Sequence, residues 1–167
     1  MHPKVRNVLT NLSDLGDSPM GDYRDAILGE LCVLTDSQLS YVAAMNREED
    51  VRTMVGWSRT DMEYCGIIDK PIVHELQHTG LWGNAVRERQ VVITNDCANL
   101  DKPTYPQGNT AVMNHMILPI FEGDRIALVV GVGNKTGDYN FDDAQIVEQM
   151  MSEVWYSFKM SLWEAAC

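Results

Sequence analysis

Met113-Asn114-His115-Met116-Ile117-Leu118-Pro119-Ile120-Phe121-Glu122-Gly123-Asp124-Arg125-Ile126-Ala127-Leu128-Val129-Val130-Gly131-Val132-Gly133 reads as a β-hairpin. Two apolar runs, 113–121 and 125–133, flank the turn Glu122-Gly123-Asp124. In the second run Ile126, Leu128, Val130 and Val132 fall on one face, and Ala127, Val129, Gly131 and Gly133 on the other. Both faces are apolar, so this strand is predicted to be central and covered on both sides. The second face is made largely of small residues, which lets a helix or a ligand approach closely.

Downstream, a long helix is predicted over about 142–163. Val147, Met151, Trp155, Phe158 and Leu162 form one stripe, with Ile146, Met150 and Val154 beside it. That apolar surface is wider than one sheet contact needs, and a second contact, most simply with a partner helix, is expected to cover the rest. Upstream, 95–110 is rich in Asn, Asp, Pro and Gly and reads as a long loop of the kind that often forms a binding lid. Val91-Val92-Ile93 reads as a short strand and 80–88 as a short helix, while 61–78 is ambiguous. Leu39–Met45 and Val51–Trp57 flank the polar segment 46–50 and form a second predicted hairpin. Helices are expected near 3–15, with Val5, Val8, Leu12 and Leu15 in a heptad-like seam, and over 22–34, with Tyr23, Ile27, Leu31 and Leu34 on one face. Gly16-Asp17-Ser18-Pro19 separates them. The order implies an α+β domain: an antiparallel sheet of about six strands, terminal helices on one face, and a cap of 61–88 and 95–110 on the other.

At 167 residues, 45% of them hydrophobic and 22% charged, the chain can bury a core without disulfides or metals. The net charge of -11 disfavours nucleic acid and anionic lipid as partners. No apolar run approaches the ~20 residues of a membrane span, and the start lacks a secretory layout, so a cytoplasmic location is expected. The four cysteines, Cys32, Cys65, Cys97 and Cys167, lie far apart with no C-x-x-C pair, so no metal site is expected from them. His74-Glu75-Leu76-Gln77-His78 matches the zinc-peptidase H-E-x-x-H. That chemistry needs a helix, and Pro71 and Thr79-Gly80 leave barely two turns for one. In an extended chain the histidines would stand roughly 13 Å apart, too far to share a metal. No catalytic zinc is therefore expected.

The ordered series Gly80-Leu81-Trp82-Gly83-Asn84-Ala85-Val86-Arg87, Val91-Val92-Ile93-Thr94-Asn95-Asp96, Leu118-Pro119-Ile120-Phe121, Gly131-Val132-Gly133-Asn134-Lys135, Tyr139 and Asp143 resembles the GAF family. The likeness is to the branch in bacterial and archaeal sensor histidine kinases and related signalling proteins, and covers roughly residues 20–160. It implies a GAF-like (PAS-like) sandwich, with residues 1–18 as a linker or dimerisation helix and 19–167 as the sensor domain. Asn134, Lys135, Tyr139 and Asp143 are similar to a family signature in which the lysine and aspartate hold the last strand against the last helix. Departures are Tyr139 for the usual phenylalanine, Ala144 for an acid, Asn109 for a histidine, and Asn114 for a basic residue.

The resemblance implies a small-molecule sensor of a two-component system and not an enzyme. It would form a homodimer through its terminal helices and signal to an output domain of the same polypeptide, without membrane contact. Expected ligand-binding residues are Trp57, Cys65, Trp82, Arg87, Asn95, Asp96, Cys97, Lys102 and His115. For the tryptophans, core packing is the competing reading, for Arg87 and Lys102 a solvated surface, and for Asn95 and Asp96 a loop-shaping role. No cofactor is expected, although some relatives attach a bilin through cysteine or hold haem, here through His115 or His78. The rival readings are a methionine sulfoxide reductase-like enzyme using Cys97 and Cys65, and a dimerisation module with no ligand.

Overall fold

A computed structural model describes the backbone of residues 1–15, 20–49, 51–57, 73–75, 81–97 and 112–166, and the side chains of 1–15, 23–49, 83–97 and 112–155. Its elements are helices α1 (Pro3–Ser13) and α2 (Met20–Thr35), strands β1 (Leu39–Met45), β2 (Val51–Trp57) and β3 (Val73–Glu75), helix α3 (Leu81–Glu88), strands β4 (Val92–Thr94), β5 (His115–Glu122) and β6 (Arg125–Gly133), and helix α4 (Phe141–Ala166). The strands form a six-stranded sheet in the order β3-β2-β1-β6-β5-β4. Every neighbouring pair is antiparallel.

The β5–β6 hairpin turns through Gly123, at φ +64°, which glycine adopts without steric cost. β6 pairs with β5 on one side and β1 on the other, so it is central as the two-faced apolar pattern requires. The pattern carries one correction. Register shifts between Ile120 and Phe121, with Phe121 opposite Ile126 and Ile120 opposite Leu128. The bulge turns Ile126 to the face of Val129, away from Leu128, Val130 and Val132.

One face of the sheet carries the helices. Val42, Met116, Leu118, Ile120, Leu128, Val130 and Val132 pack against α1, α2 and α4. Ile27, Leu31 and Leu34 of α2 are buried here, as are Val147, Met150, Met151 and Val154 of α4. The wide apolar surface of α4 is thus taken up within the chain over these residues. Over these residues α4 meets β5 of the sheet and helices α1 and α2. Val5, Val8 and Leu12 of α1 are buried in the same layer, so this face of the heptad-like seam meets its own domain.

The opposite face carries a smaller cluster. Tyr41, Ala43, Met45, Ile117, Ile126 and Val129 pack against Ala85 and Val86 of α3. His74 lies in strand β3, paired with Arg52 of β2. A helix through the H-E-x-x-H segment is therefore interrupted at its start, while His78 lies outside the described residues. Among the described residues, no group of three or more His, Cys, Asp and Glu side chains is placed to hold a metal ion. No described helix is long and apolar enough to cross a membrane.

Candidate functional site

The α3 side of the sheet is the candidate site. Strand alternation fixes its floor: His115 and Ile117 of β5, Val129, Gly131 and Gly133 of β6, and Leu39, Tyr41 and Ala43 of β1. Register sets them in rows. One row crosses Thr94, His115, Gly133 and Leu39; the next crosses Val92, Ile117, Gly131, Tyr41 and Trp57. The Tyr41 ring lies over Gly131, and a Cβ at 131 would fall within the van der Waals radii of Cε1 and Cζ. Tyr41 was not legible as a site residue. The signal, an aromatic opposite a glycine, appears only once β1 is known to pair with β6.

His115 is 1% exposed. Its Nδ1 lies 3.3 Å from Cys97 Sγ, which also sits 3.7 Å from the Thr94 carbonyl oxygen. The Cys97 amide donates to Met113 O at 3.0 Å, tying the chain after β4 to the start of β5. His115 Nε2 is buried and has no hydrogen-bond partner among the described residues. Burial lowers the His115 pKa to about 4, so the ring is neutral near pH 7. The Cys97 thiol is pushed up, first by burial and then by the Asp96 carboxylate. The pair is thus a thiol beside a neutral imidazole, unlike the thiolate–imidazolium pairs of cysteine nucleophiles.

Asn95 proves to be a fastener. Its Oδ1 accepts from the Tyr139 amide at 2.8 Å and its Nδ2 donates to Tyr139 O at 3.1 Å. Both ends of the side-chain amide thus engage the turn before α4. Asp96 is exposed, and its resolved effect is on Cys97. Arg87 is exposed on α3, and its guanidinium donates to Asn84 Oδ1, three residues back on the same helix. Trp57 and Trp82 lie in β2 and α3, but their side chains are outside the described set, as are Cys65 and Lys102 entirely.

The turn from β6 to α4 is locked from several directions. Lys135 Nζ lies 2.6 Å from Asp143 Oδ2 and 2.8 Å from Oδ1, both side chains largely buried. Asn140 and Asp143 exchange amide-to-side-chain bonds at 3.0 and 3.1 Å, a reciprocal cap on α4. Asn134 takes φ +56° and accepts from the Met113 amide at 2.7 Å through Oδ1. Tyr139 hydroxyl and Ser37 Oγ are 2.6 Å apart, and Ser37 in turn meets Thr35. Burial, the largest cause, raises the Tyr139 pKa, so the phenol stays protonated. Asn114 accepts from the Lys135 amide at 2.9 Å and donates to Gly137 O at 2.7 Å. A basic side chain could not do both, which gives the departure at 114 a structural reason.

A single antiparallel sheet, helices on one face and a small-residue floor under a short helix on the other, defines a PAS/GAF-type α+β domain. The GAF domain family model matches residues 24–158, and the chain belongs to that family. A methyl sulfide methyltransferase-associated sensor of Methanosarcina acetivorans is 36% identical over 149 residues, 88% of this chain; the chain spans 15% of that relative's length. The crystal structure of the GAF domain from an Acinetobacter phosphoenolpyruvate-protein phosphotransferase matches with a TM-score of 0.67 at 11% identity, over 93% of this chain and 97% of that one. Free methionine-R-sulfoxide reductase from Neisseria meningitidis, in complex with its substrate, matches with a TM-score of 0.67 at 13% identity, over 96% and 91%. At such identities these two likenesses concern the fold alone.

Proposed function

We propose that this domain is the signal-input module of a signal-transduction protein, binding a small molecule between the sheet and α3 and passing the event to its terminal helices. The observation that carries the reading is the floor itself: Gly131 and Gly133 beside Tyr41, with buried His115 in the neighbouring row. The sensor named among its relatives supports the same reading. Asn95 joins the end of β4 to Tyr139, and Lys135–Asp143 fixes the start of α4, so a change at Cys97 and His115 has a short covalent and hydrogen-bonded route to that helix. Signalling requires that a ligand bind two states of the domain unequally. The output domain lies elsewhere in the same polypeptide, and two chains pair through the ends of α1 and α4.

The reductase reading asks Cys97 for an accessible thiolate. Burial and Asp96 both keep its proton on, which favours the sensory reading.

The test is thermal stability of the purified chain against cyclic nucleotides, carboxylic acids, aromatics, tetrapyrroles and zinc. A ligand at a hundred times its Kd adds about 2.7 kcal/mol, a clear rise in Tm. No rise with any class would count against a sensory pocket and favour a dimerisation module.

A further inference from the structure

Three segments of the chain meet at Tyr139. Its backbone is gripped on both sides by Asn95, just past the end of β4: Oδ1 accepts from the Tyr139 amide at 2.8 Å, and Nδ2 donates to the Tyr139 carbonyl at 3.1 Å. Its side chain runs the other way. The hydroxyl lies 2.6 Å from Ser37 Oγ, which lies 2.6 Å from Thr35 Oγ1. Thr35 Oγ1 donates to the Leu31 carbonyl at 2.8 Å, in the last turn of α2. Tyr139, Ser37 and Thr35 are all buried, so this row of hydroxyls is shielded from water along its length. Whichever way the protons between the hydroxyls point, each oxygen keeps a partner. Helix α4 starts two residues after Tyr139, at Phe141. Asn95 stands two residues before Cys97, which touches His115 in the floor.

We infer that Tyr139 is a joint coupling the segment after β4 to the C-terminal end of α2 as well as to the start of α4, so that a change at the candidate site reaches two helices at once. A shift of Asn95 beyond hydrogen-bond tolerance either breaks two bonds or carries Tyr139 with it. If Tyr139 moves, its hydroxyl pulls on Ser37 and Thr35. A ring without the hydroxyl would fill the same space and stop short of α2, so the oxygen is the coupling atom and Tyr139 is a positioning residue. Helix α2 packs on α1, so this branch leads towards the N-terminal helix. The use of the joint as a signal route rests on the reading of the α3 side as a sensory pocket. A second link joins the same segments without the hydroxyl, from the Thr136 amide to Asp36 O at 3.3 Å, and the experiment separates the two.

The test is amide hydrogen exchange in the 15N-labelled chain, without ligand. Exchange is read at Ser37, whose amide donates to Cys32 O at 2.8 Å, and at residue 139, with Val130 of the central strand as the monitor of global opening. Asn95→Ala is expected to speed exchange at residue 139 and, severalfold relative to Val130, at Ser37. Tyr139→Phe keeps the ring and the Thr136–Asp36 bond. In that background Asn95→Ala should still speed residue 139 and leave Ser37 unchanged, a non-additive cycle. Ser37→Ala, read at the same amide, removes the link from the α2 side and should abolish the response likewise. Asn95→Asp, which keeps the acceptor and loses the donor, replaces Asn95→Ala if that variant does not fold. Equal responses at Ser37 in wild type and in Tyr139→Phe overturn the inference and assign the coupling to the Thr136–Asp36 bond. No response at Ser37 in wild type overturns it too, whether or not residue 139 opens. Either failure leaves the sensory reading standing, and failure of the ligand panel leaves the measured coupling standing.

Discussion

Gly131 lies directly under Tyr41: a Cβ at 131 would stand 2.6 Å from the phenol oxygen and nearer still to the ring carbons. The two are register partners on adjacent central strands, so neither backbone can retreat without breaking the ladder. Gly131→Ala is therefore expected to force the buried Tyr41 ring aside. Overpacking of this kind costs about 1–3 kcal/mol. For a domain of this size that is a fall in Tm of roughly 2–4 °C per kcal/mol, read by differential scanning calorimetry. Gly131→Ala/Tyr41→Ala should recover part of the packing strain, seen as a double-mutant coupling. An unchanged Tm in Gly131→Ala would show that the ring does not rest on the glycine.

Lys135 and Asp143 form a largely buried ion pair, at 2.6 Å, between the end of β6 and the first turn of α4. Asp143 is also half of the α4 cap, so its loss removes more than a charge partner. Removing one partner of a buried pair costs about 3–5 kcal/mol, because the other is left uncompensated. Asp143→Ala is expected at the upper end and Lys135→Met at or below the lower end, since the methionine stem keeps the packing. Urea unfolding of both singles and the double gives the coupling, expected at above 1 kcal/mol. A strictly additive double would mean that the pair contributes no interaction of its own.

His115 makes stability depend on pH in a defined window. Its folded pKa is depressed to about 4 by burial, against 6.5 for an ordinary histidine. Between these values the unfolded chain binds a proton that the folded chain refuses, so unfolding free energy rises with pH there. The contribution is fully present above 6.5 and is lost as pH falls toward 4, by about 3 kcal/mol in all. Carboxylates titrate in part of the same range, so the comparison is with His115→Gln. The wild-type minus variant difference in urea midpoint should shrink steadily from pH 7 to 4.5. A difference that stays flat would place the imidazole in contact with solvent.

The layering of this domain was legible because it depends on local periodicity. The two-faced run 125–133 required a central strand, and the 3.6-residue stripes of α2 and α4 required a helical layer. The bulge at Ile120 was not legible, since an extra residue leaves no mark in an apolar run. The site was read less well for a similar reason. His115 and Cys97 stood out as chemistry, but their contact joins segments 18 residues apart through a turn that sequence does not specify. Arg87 and Asn95 looked like ligand contacts by residue type. The structure gives them protein partners as well, Asn84 and Tyr139, which residue type does not specify. For α4, periodicity shows how much is buried and not against what: over Val147–Val154 the cover is the chain's own sheet and helices.

Cys97 separates the sensory and enzymatic readings in a single reactivity profile. Alkylation consumes the thiolate, so its rate tracks the fraction ionised. With the thiol pushed up by burial and by Asp96, the iodoacetamide rate at Cys97, followed by peptide mass spectrometry, should keep rising through pH 9 without a plateau. Asp96→Asn removes one of the two causes and should raise the rate at pH 8 severalfold, while the larger burial effect keeps the profile from levelling. His115→Gln should leave the rising profile in place, because a neutral imidazole offers no positive charge to the thiolate. A reductase would behave oppositely: a plateau below pH 7, collapse of the rate in His115→Gln, and turnover of free methionine sulfoxide with a thiol reductant. That outcome would transfer Cys97 from ligand recognition to catalysis.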